Sequence, residues 1–268
     1  MHYLIILFFV AAVLYILSTK CRRGHKQLAA LRGWAYAHRG LHGNGIPENS
    51  LKAFAEAVNA GYGSELDIHL LSDGELAVIH DSSLFRTTGC NVNVENLDVI
   101  QLKQYRLENT DETIPTLQEV LKVYDGKAPL IIELKPIDNV SQLCSQTCKL
   151  LDNYSGVYCL ESFDPRCVRW LRKNRPDLIR GQLSENFLLS RTAPIPWYVK
   201  LVMKMLASNF LTQPDFVAYK FKDRKTLSTF FCRKIWGAQG VTWTLKSIDE
   251  YNVAVSEGWI PIFEDFRP

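Results

Sequence analysis

Along the chain, short apolar runs rich in valine, isoleucine and aromatic residues alternate with longer stretches whose apolar residues recur at helical spacing. This alternation is typical of a parallel sheet whose strands are joined by crossover helices. It predicts eight strands, near residues 34–38, 64–69, 130–134, 157–161, 179–182, 216–219, 240–244 and 260–263. Seven helices are predicted between them, near 50–60, 116–124, 139–152, 165–174, 197–208, 223–235 and 247–256. The pattern therefore predicts an α/β fold, a TIM-like (β/α)8 barrel.

A further extended segment, residues 75–79, follows the second strand too closely for a helix to intervene. Asp73-Gly74 is a favoured turn pair, so we predict a β-hairpin that turns at these two residues. This register places His80 opposite Asp67. The next residues, 82–115, have weak periodicity, and we predict that they form a small insertion after the hairpin.

The first apolar segment, residues 3–17, carries no charge, and basic residues follow it at once: Lys20, Arg22, Arg23 and Lys26. Counted from Met1 to Thr19, it is just long enough to cross a bilayer core of about 30 Å. A secretory signal peptide would instead carry positive charge before the apolar run and a small-residue cleavage site after it. We therefore predict one N-terminal transmembrane helix, with residues 1–24 as anchor and basic flank. The basic flank favours a cytoplasmic catalytic domain.

Length, charge and cysteine content indicate the number of domains and the class of partner. A chain of 268 residues suits one large α/β domain, predicted over residues 33–268. The net charge is only +3 and the basic residues are scattered, so no nucleic acid partner is predicted. Seven cysteines without a CxxC spacing predict reduced thiols and no zinc site. The sequence leaves the oligomeric state open.

Three carboxylates are predicted to face the interior of the barrel. Glu65 and Asp67 are two residues apart on a strand and so point to the same side, and Glu133 alternates with Lys135 on the next barrel strand. Converging carboxylates repel one another unless a cation lies among them, and an all-oxygen set suits Mg²⁺ or Ca²⁺. The alternative is a salt bridge from Glu65 or Glu133 to Lys135 or Arg39.

Two histidines, His38 and His80, lie at the ends of predicted strands. An imidazole has an unperturbed pKa of about 6.5, so near neutral pH one histidine accepts a proton and the other donates one. Phosphodiester cleavage requires both steps, because the nucleophile loses a proton and the leaving oxygen gains one. Arg39 and Lys135 are suited to neutralise the phosphate oxygens.

The order of short motifs resembles the glycerophosphodiester phosphodiesterase family, a group with a phospholipase-C-like TIM barrel. The motifs are His38-Arg39-Gly40, Pro47-Glu48-Asn49-Ser50, Glu65-Leu66-Asp67, Asp73-Gly74, Val78-Ile79-His80-Asp81, Arg86-Thr87-Thr88, Pro115-Thr116-Leu117 and Glu133-Leu134-Lys135-Pro136. Weaker matches are Ser162-Phe163-Asp164 and Val241-Thr242-Trp243-Thr244. The resemblance is specific because many short motifs recur in one order.

This resemblance implies roles for particular side chains. The acid and base are His38 and His80, the metal ligands are Glu65, Asp67 and Glu133, and the phosphate and substrate contacts are Arg39, Lys135, Glu48 and Trp243. For Glu48, contact with the metal and bracing of its loop are both open. Trp243 resembles the family's aromatic wall for the glycerol or alcohol portion, with simple packing as the alternative. At two strand ends the chain departs from the family pattern, with Lys246 where asparagine is frequent and Glu264 where threonine is usual.

The resemblance implies an enzyme that hydrolyses small-molecule glycerophosphodiesters to glycerol 3-phosphate and an alcohol. The alternatives are a lysophospholipase D, or another phospholipid-headgroup phosphodiesterase using the same site, and a catalytically silent lipid-binding membrane protein. Residues 196–206 have an amphipathic pattern that suits a lid or a membrane-facing helix, although an ordinary barrel helix has the same pattern. A membrane lipid is therefore also a predicted partner.

Overall fold

Eight parallel strands close into a barrel in the computed structural model, which describes residues 2–189 and 195–268. The strands in chain order are β1 (Tyr36–His38), β2 (Gly63–Leu70), β3 (Leu76–Val78), β4 (Leu130–Leu134), β5 (Tyr158–Ser162), β6 (Arg180–Ser184), β7 (Phe216–Lys220), β8 (Gln239–Leu245) and β9 (Trp259–Phe263). β1 pairs with both β9 and β2, which closes the ring, and β3 adds to β2 in antiparallel orientation. The predicted TIM-like barrel is confirmed.

Helices cover the outside of the ring. They are α1 (His2–Ser18), α2 (Leu51–Asn59), α3 (Phe85–Thr88), α4 (Val99–Leu102), α5 (Leu117–Tyr124), α6 (Val140–Leu151), α7 (Pro165–Asn174), α8 (Trp197–Lys204), α9 (Asn209–Thr212), α10 (Leu227–Phe230) and α11 (Ile248–Ser256). Ser50, Thr116 and Ser247 begin α2, α5 and α11 by accepting a hydrogen bond from the first turn. The segment predicted as one helix over 197–208 ends early because Leu206 adopts a φ of 52° and buries its side chain.

The β2–β3 hairpin turns through three residues, not two. The Leu71 N–H donates to the Glu75 carbonyl at 2.8 Å, and Gly74, with a φ of 91°, completes the loop between them. The predicted register is therefore wrong by one residue. Ile79 lies opposite Asp67 and donates its N–H to the Asp67 carbonyl at 3.0 Å, while His80 follows it at the strand end.

The N-terminal apolar segment forms α1, which has 17 residues. At 1.5 Å per residue such a helix is about 26 Å long, and a bilayer core is about 30 Å thick. Among residues 2–189 and 195–268, no helix combines the length and the apolar character that a membrane crossing needs. The prediction of a transmembrane anchor over residues 1–24 is therefore wrong, although Met1 itself lies outside the described residues. The same finding overturns the predicted location as a single-pass membrane protein with a cytoplasmic catalytic domain.

A short 3₁₀ helix, Lys26–Leu31, packs against the N-terminal end of the barrel. Its Leu28 and Leu31 are buried with Tyr36, and the Tyr36 hydroxyl donates to the Leu31 carbonyl at 2.9 Å. Ile131, a β4 residue two positions before Glu133, belongs to the same apolar cluster. Apolar packing therefore fills this end, and the polar residues of β4 lie toward the other.

The carboxylate of Asp215 ties the segment after α1 to the barrel. It is only 1% exposed and accepts two hydrogen bonds from Arg22, both at 2.5 Å, and one from the Arg180 N–H at 3.0 Å. Arg22 also donates to the carbonyls of Pro176 and Leu178. This ion pair is therefore one of the contacts that join α1 to the barrel, beside the hydrogen bonds from Arg23 to the Trp236 carbonyl and from the Trp236 Nε1 to the Ile16 carbonyl.

Replacing Asp215 with alanine should lower the free energy of unfolding by about 3–5 kcal/mol, because Arg22 and the Arg180 N–H lose a buried partner. Asp177→Ala is a matched control, since it removes an exposed ion pair with Arg175 at 2.7 Å and should cost less than about 1 kcal/mol. Urea denaturation of both variants measures the difference. Equal losses would contradict a special role for the buried pair.

Candidate active site

The strand register of the barrel brings the predicted site residues together. Asp67 of β2 lies beside Glu133 of β4, and His38 of β1 lies beside Glu65 of β2. Seven of the predicted residues line one cavity of about 180 Å³: His38, Arg39, Glu65, Asp67, His80, Glu133 and Trp243. In barrels of this kind the chemistry takes place at the C-terminal ends of the strands, which is where these residues lie.

The carboxylates of Glu65, Asp67 and Glu133 converge. Each offers an oxygen atom, and these atoms lie within 4.8 Å of one another. Two oxygens bound to opposite sides of one Mg²⁺ or Ca²⁺, at about 2.0–2.6 Å each, are separated by a similar distance. Oε2 of Glu65 is buried and has no hydrogen-bond partner within the described parts of the chain. The three side chains therefore fit a divalent cation.

The three carboxylates differ in how much positive charge lies near them. Burial raises the pKa of Glu65 well above its usual range, and the charge of Asp67 raises it further. Burial also raises the pKa of Glu133, although Lys135 opposes this. For Asp67 the effect of burial is outweighed by Lys135 and other positive groups, which hold its pKa well below the usual range. Glu65 is thus the carboxylate that gains most from an added cation.

Lys135 and Arg39 lie against this group of acids. The Lys135 Nζ is 2.9 Å from Glu133 Oε1 and 3.1 Å from Asp67 Oδ1, and the Arg39 Nε is 3.5 Å from Asp67 Oδ2. The salt-bridge alternative therefore holds for Glu133. It does not hold for Glu65, which has no lysine or arginine within salt-bridge distance among the described residues; its nearest ionisable partner is His38.

Each of the two predicted catalytic histidines has a carboxylate next to Nδ1. His38 Nδ1 is 3.2 Å from Glu264 Oε1, and His80 Nδ1 is 2.6 Å from Asp81 Oδ1. Burial lowers the pKa of His38, which favours the neutral imidazole. The contact with His80 lowers the pKa of Asp81, so that this carboxylate stays ionised. The contact of His80 is a hydrogen bond, whereas the contact of His38 is an ion-pair distance without hydrogen-bond geometry. In both residues the negative charge lies on the Nδ1 side, so Nε2 is the ring nitrogen suited to proton transfer.

Glu48 lies beside the cavity and is held by two arginines. Its carboxylate accepts a hydrogen bond from Arg39 at 2.9 Å and two from Arg86, at 2.6 and 3.0 Å. Burial raises the pKa of Glu48, but the contacts with Arg86 and Arg39 outweigh this and lower it overall. Both carboxylate oxygens are therefore occupied, which favours bracing of Arg39 over contact with a metal.

Trp243 packs edge-on against Phe163, with ring centroids 5.6 Å apart and planes at 88°. Its Nε1 is buried without a hydrogen-bond partner within the described residues, and the Lys220 Nζ is 5.9 Å from the centre of the ring. The two aromatic rings form an apolar wall of the cavity. Such a wall suits the carbon atoms of a glycerol, and an indole N–H beside it offers a donor for a hydroxyl.

Sequence reasoning missed a fourth carboxylate in the cavity, Glu161 of β5. It is 1% exposed, it pairs with Glu133 across the sheet, and burial raises its pKa well above the usual range. Period two along β5 places Cys159 and Glu161 on the inner face, so the signal was present in the sequence.

Three other contacts were also missed. Asp81 and Arg86 belong to motifs of the family resemblance but have no predicted role, and Arg86 joins Glu48 to Asp81 through hydrogen bonds. The sequence predicts for Glu264 only a departure from the family pattern. No local pattern predicts its contact with His38, because the two residues lie near opposite ends of the chain and meet only when β1 pairs with β9.

Comparison with known proteins gives one family. The model of the "Glycerophosphoryl diester phosphodiesterase family" matches residues 38–266. Among curated relatives, a glycerophosphodiester phosphodiesterase of Bacillus altitudinis is 39% identical over 107 residues, covering 37% of this chain and 43% of that protein. Lysophospholipase D GDPD1 of Rattus norvegicus is 35% identical, covering 44% of this chain and 40% of that protein. The chain thus spans about two fifths of the length of these relatives.

Longer matches agree with these. A glycerophosphodiester phosphodiesterase of Caldanaerobacter subterraneus is 31% identical over 180 residues, covering 63% of this chain and 71% of that protein. Among solved structures, a phosphodiesterase of Oleispira antarctica in complex with the product sn-glycerol-3-phosphate superimposes with a TM-score of 0.71. It is 22% identical, and the match covers 88% of this chain and 94% of that one. At that identity the likeness demonstrates a shared fold.

Proposed function

Because the chain belongs to the glycerophosphoryl diester phosphodiesterase family, we propose that it hydrolyses glycerophosphodiesters to glycerol 3-phosphate and an alcohol. The observation that carries this proposal is the cavity in which His38 and His80 accompany the converging carboxylates. We assign the activity to residues 33–268, with residues 82–115 as an insertion. That insertion supplies Arg86, which holds Glu48 beside the cavity.

The histidines supply proton transfer in this proposal. The Nε2 of one histidine, on a neutral ring, takes a proton from the attacking hydroxyl, while the Nε2 of the other, on an imidazolium, gives its proton to the departing alkoxide. The carboxylate beside Nδ1 favours a proton on that nitrogen in both rings. Arg39 and Lys135 bind the phosphate oxygens, since both are positively charged and lie beside the cavity. The attacking hydroxyl belongs either to water or to the glycerol of the substrate, the latter passing through a cyclic phosphate.

The family generally uses a divalent cation, and we propose that Glu65, Asp67 and Glu133 hold it. These three carboxylates would hold the cation, which would supply positive charge to offset the acids and to polarise the phosphate. Mg²⁺ and Ca²⁺ both accept carboxylate oxygens, but Ca²⁺ takes more ligands. Glu161 adds a fourth carboxylate to the cavity, so the assay tests Ca²⁺ as well as Mg²⁺.

The test is a hydrolysis assay with glycerophosphocholine, glycerophosphoethanolamine and glycerophosphoglycerol, each with Mg²⁺ or Ca²⁺ and with a chelator. We expect release of glycerol 3-phosphate that the chelator abolishes and the added cation restores. Turnover that is unaffected by chelation would contradict the proposed metal. The absence of turnover on every substrate and with either cation would favour the alternative of a catalytically silent lipid-binding protein.

A lysophospholipase D activity is the second candidate function. It is favoured by the Rattus norvegicus relative, which bears that name. The exposed aromatic side chains that begin α8, Trp197 and Tyr198, offer apolar surface on the segment following β6. Adding lysophosphatidylcholine to the substrate panel separates the two functions, since a lysophospholipase D releases choline from it and a strict glycerophosphodiesterase does not.

Replacing Trp243 with alanine should raise KM for glycerophosphocholine by about 10-fold with a smaller change in kcat, because the wall contacts the non-reacting carbons. A loss of one aromatic contact of about 1–2 kcal/mol corresponds to this range. Steady-state kinetics measures both parameters. Trp243→Phe retains the packing against Phe163 but lacks the indole N–H, so an equal effect in both variants would assign the contribution to the N–H. An unchanged KM in both would support simple packing.

A further inference from the structure

Glu264, the first residue after β9, contacts two imidazoles, those of His38 and His42, and the ammonium group of Lys246. Its Oε1 is 3.2 Å from His38 Nδ1 and 3.0 Å from His42 Nε2. Its other oxygen, Oε2, accepts a hydrogen bond from Lys246 Nζ, which also donates to Asp265 at 2.8 Å. The side chain of Glu264 is only 13% exposed, so these contacts are largely shielded from solvent.

The negative charge of Glu264, 3.2 Å from His38 Nδ1, favours a proton on that nitrogen, although the contact does not have hydrogen-bond geometry. A neutral imidazole has one N–H, and a carboxylate next to Nδ1 stabilises the tautomer with the proton on that nitrogen. The other nitrogen, Nε2, then has its lone pair available, and it lies 3.8 Å from Glu65 Oε2 on the cavity side. The same charge favours the rotation of the ring that keeps Nδ1 on the side of Glu264.

The surroundings keep Glu264 ionised. Burial raises its pKa, but the contacts with His38, His42 and Lys246 outweigh burial and lower the pKa overall. Lys246 also occupies the second oxygen, so the carboxylate cannot rotate away from His38 without losing that contact. Lys246 and Glu264 are the two positions at which the sequence departs from the family pattern, and they contact each other.

We infer that Glu264 is a positioning residue for His38 and that Lys246 holds it in place. Glu264 touches neither the acids that fit the cation nor the cavity, and it acts through the imidazole alone. Its effect on turnover rests on the proposed function, whereas its effect on the tautomer of His38 is independent of any substrate. The two effects are therefore tested separately.

The first test is kinetic and uses the full chain. Glu264→Gln should lower kcat for glycerophosphocholine by about 10- to 100-fold, because a misaligned proton-transfer group loses rate steeply with displacement. KM should change by no more than about twofold, since Glu264 does not line the cavity that holds the acids and the two histidines. Glu264→Asp keeps the charge but is one methylene shorter, so part of the rate should return. Asp265→Asn is the matched control, as it removes the other Lys246 contact without touching His38, and its kcat should equal that of wild type.

The second test reads the imidazole directly. In protein labelled with ¹⁵N at the histidines, the signals of His38 are assigned by their loss in His38→Gln. At one fixed pH and without substrate, wild type should show a proton on Nδ1 of His38, and Glu264→Gln should show a mixture of the two tautomers. Folding of the variants is checked by thermal melting, and Glu264→Asp replaces Glu264→Gln should the latter fail to fold.

The outcomes separate the inference from the proposed function. An unchanged His38 spectrum in Glu264→Gln, or an unchanged kcat beside an active wild type, would overturn the positioning role. A larger effect on KM than on kcat would also overturn it, because it would indicate contact with substrate. Should wild type hydrolyse none of the substrates, the proposed function fails, and the spectra alone then decide the role of Glu264.

Discussion

Replacing His80 with alanine should lower kcat for glycerophosphocholine hydrolysis by about 10²- to 10⁴-fold, the range that a positioned acid or base contributes. His38→Ala should have an effect of the same order. Both imidazoles line the cavity that contains the carboxylates, and each has Nδ1 next to a carboxylate. The losses should appear in kcat more than in KM, since proton transfer is a property of the transition state.

The double variant provides a sharper test of this prediction. If His38 and His80 act in one concerted displacement, removing the second histidine should cost little beyond the first, because groups that act as a unit are not additive. Fully multiplicative losses would indicate separate steps, as in a route through a cyclic phosphate. His25→Ala is the control, since His25 is outside the cavity, where its Nε2 contacts the Asp177 carbonyl. Its kcat should match that of wild type, and activity in His38→Ala close to the wild-type rate would contradict the assignment.

The sequence predicted the barrel and the core of the site because both depend on local periodicity. An alternation of two places Glu65 and Asp67 on one face of β2, and the parallel register then sets Asp67 beside Glu133. To predict these two placements, it is enough to know which strands are neighbours in the sheet. Residues predicted in this way were brought together by the structure, while their roles in catalysis stay predictions.

Features that depend on exact geometry or on distant parts of the chain were not predictable in the same way. The β2–β3 hairpin contains Asp73-Gly74, as predicted, but a third loop residue, Ser72, shifts the register by one and moves Ile79 opposite Asp67. Composition suggested that the N-terminal helix crosses a membrane, yet its length decides against this. The contact between Glu264 and His38 requires closure of the barrel, which no local pattern encodes.

The arginines around Glu48 illustrate how the insertion and the barrel are joined at the site. Arg39 follows β1 and adopts a φ of 56°, and Gly40 next to it has a φ of 80°. A Cβ at Gly40 would lie 2.8 Å from the Cβ of Ala53, so only glycine fits there. This turn directs Arg39 toward Glu48, which Arg86 of the insertion holds from the other side. The position of Arg39, which we propose binds the phosphate, thus depends on segments distant in sequence.

Glu65→Gln should remove most of the stabilisation that Mg²⁺ or Ca²⁺ gives to the wild-type protein. Binding of a cation to the folded state alone raises the melting temperature with cation concentration. The loss of one of three carboxylates, and the one that has no lysine or arginine partner within the described residues, should remove most of this increase. Thermal melting with a titration of each cation measures the effect without any substrate. An increase equal to that of wild type would show that Glu65 is not a ligand.

In a chelator the same substitution should have the opposite effect and stabilise the protein at pH 8. Burial and the nearby acids raise the pKa of Glu65 well above its usual range in the folded state. The unfolded carboxyl titrates at about 4.3, so above that pH the wild type loses stability as pH rises, while glutamine has no proton to lose. Removing this unfavourable buried charge should raise the free energy of unfolding, by about 1.4 kcal/mol for each unit by which folding raises the pKa.

This gain should be larger at pH 8 than at pH 5, because the wild-type penalty grows as the pH approaches and passes the raised pKa of Glu65. At about 2–4 °C per kcal/mol for a domain of this size, the difference is measurable by thermal melting. Glu75→Gln, at the exposed end of the hairpin loop, is the control and should leave the melting temperature unchanged at both pH values. If Glu65→Gln is more stable than wild type in chelator, the three acids destabilise the folded protein when no cation is bound. Their arrangement would then serve cation binding rather than folding. A destabilised Glu65→Gln in chelator would instead indicate that Glu65 has a structural role in the barrel.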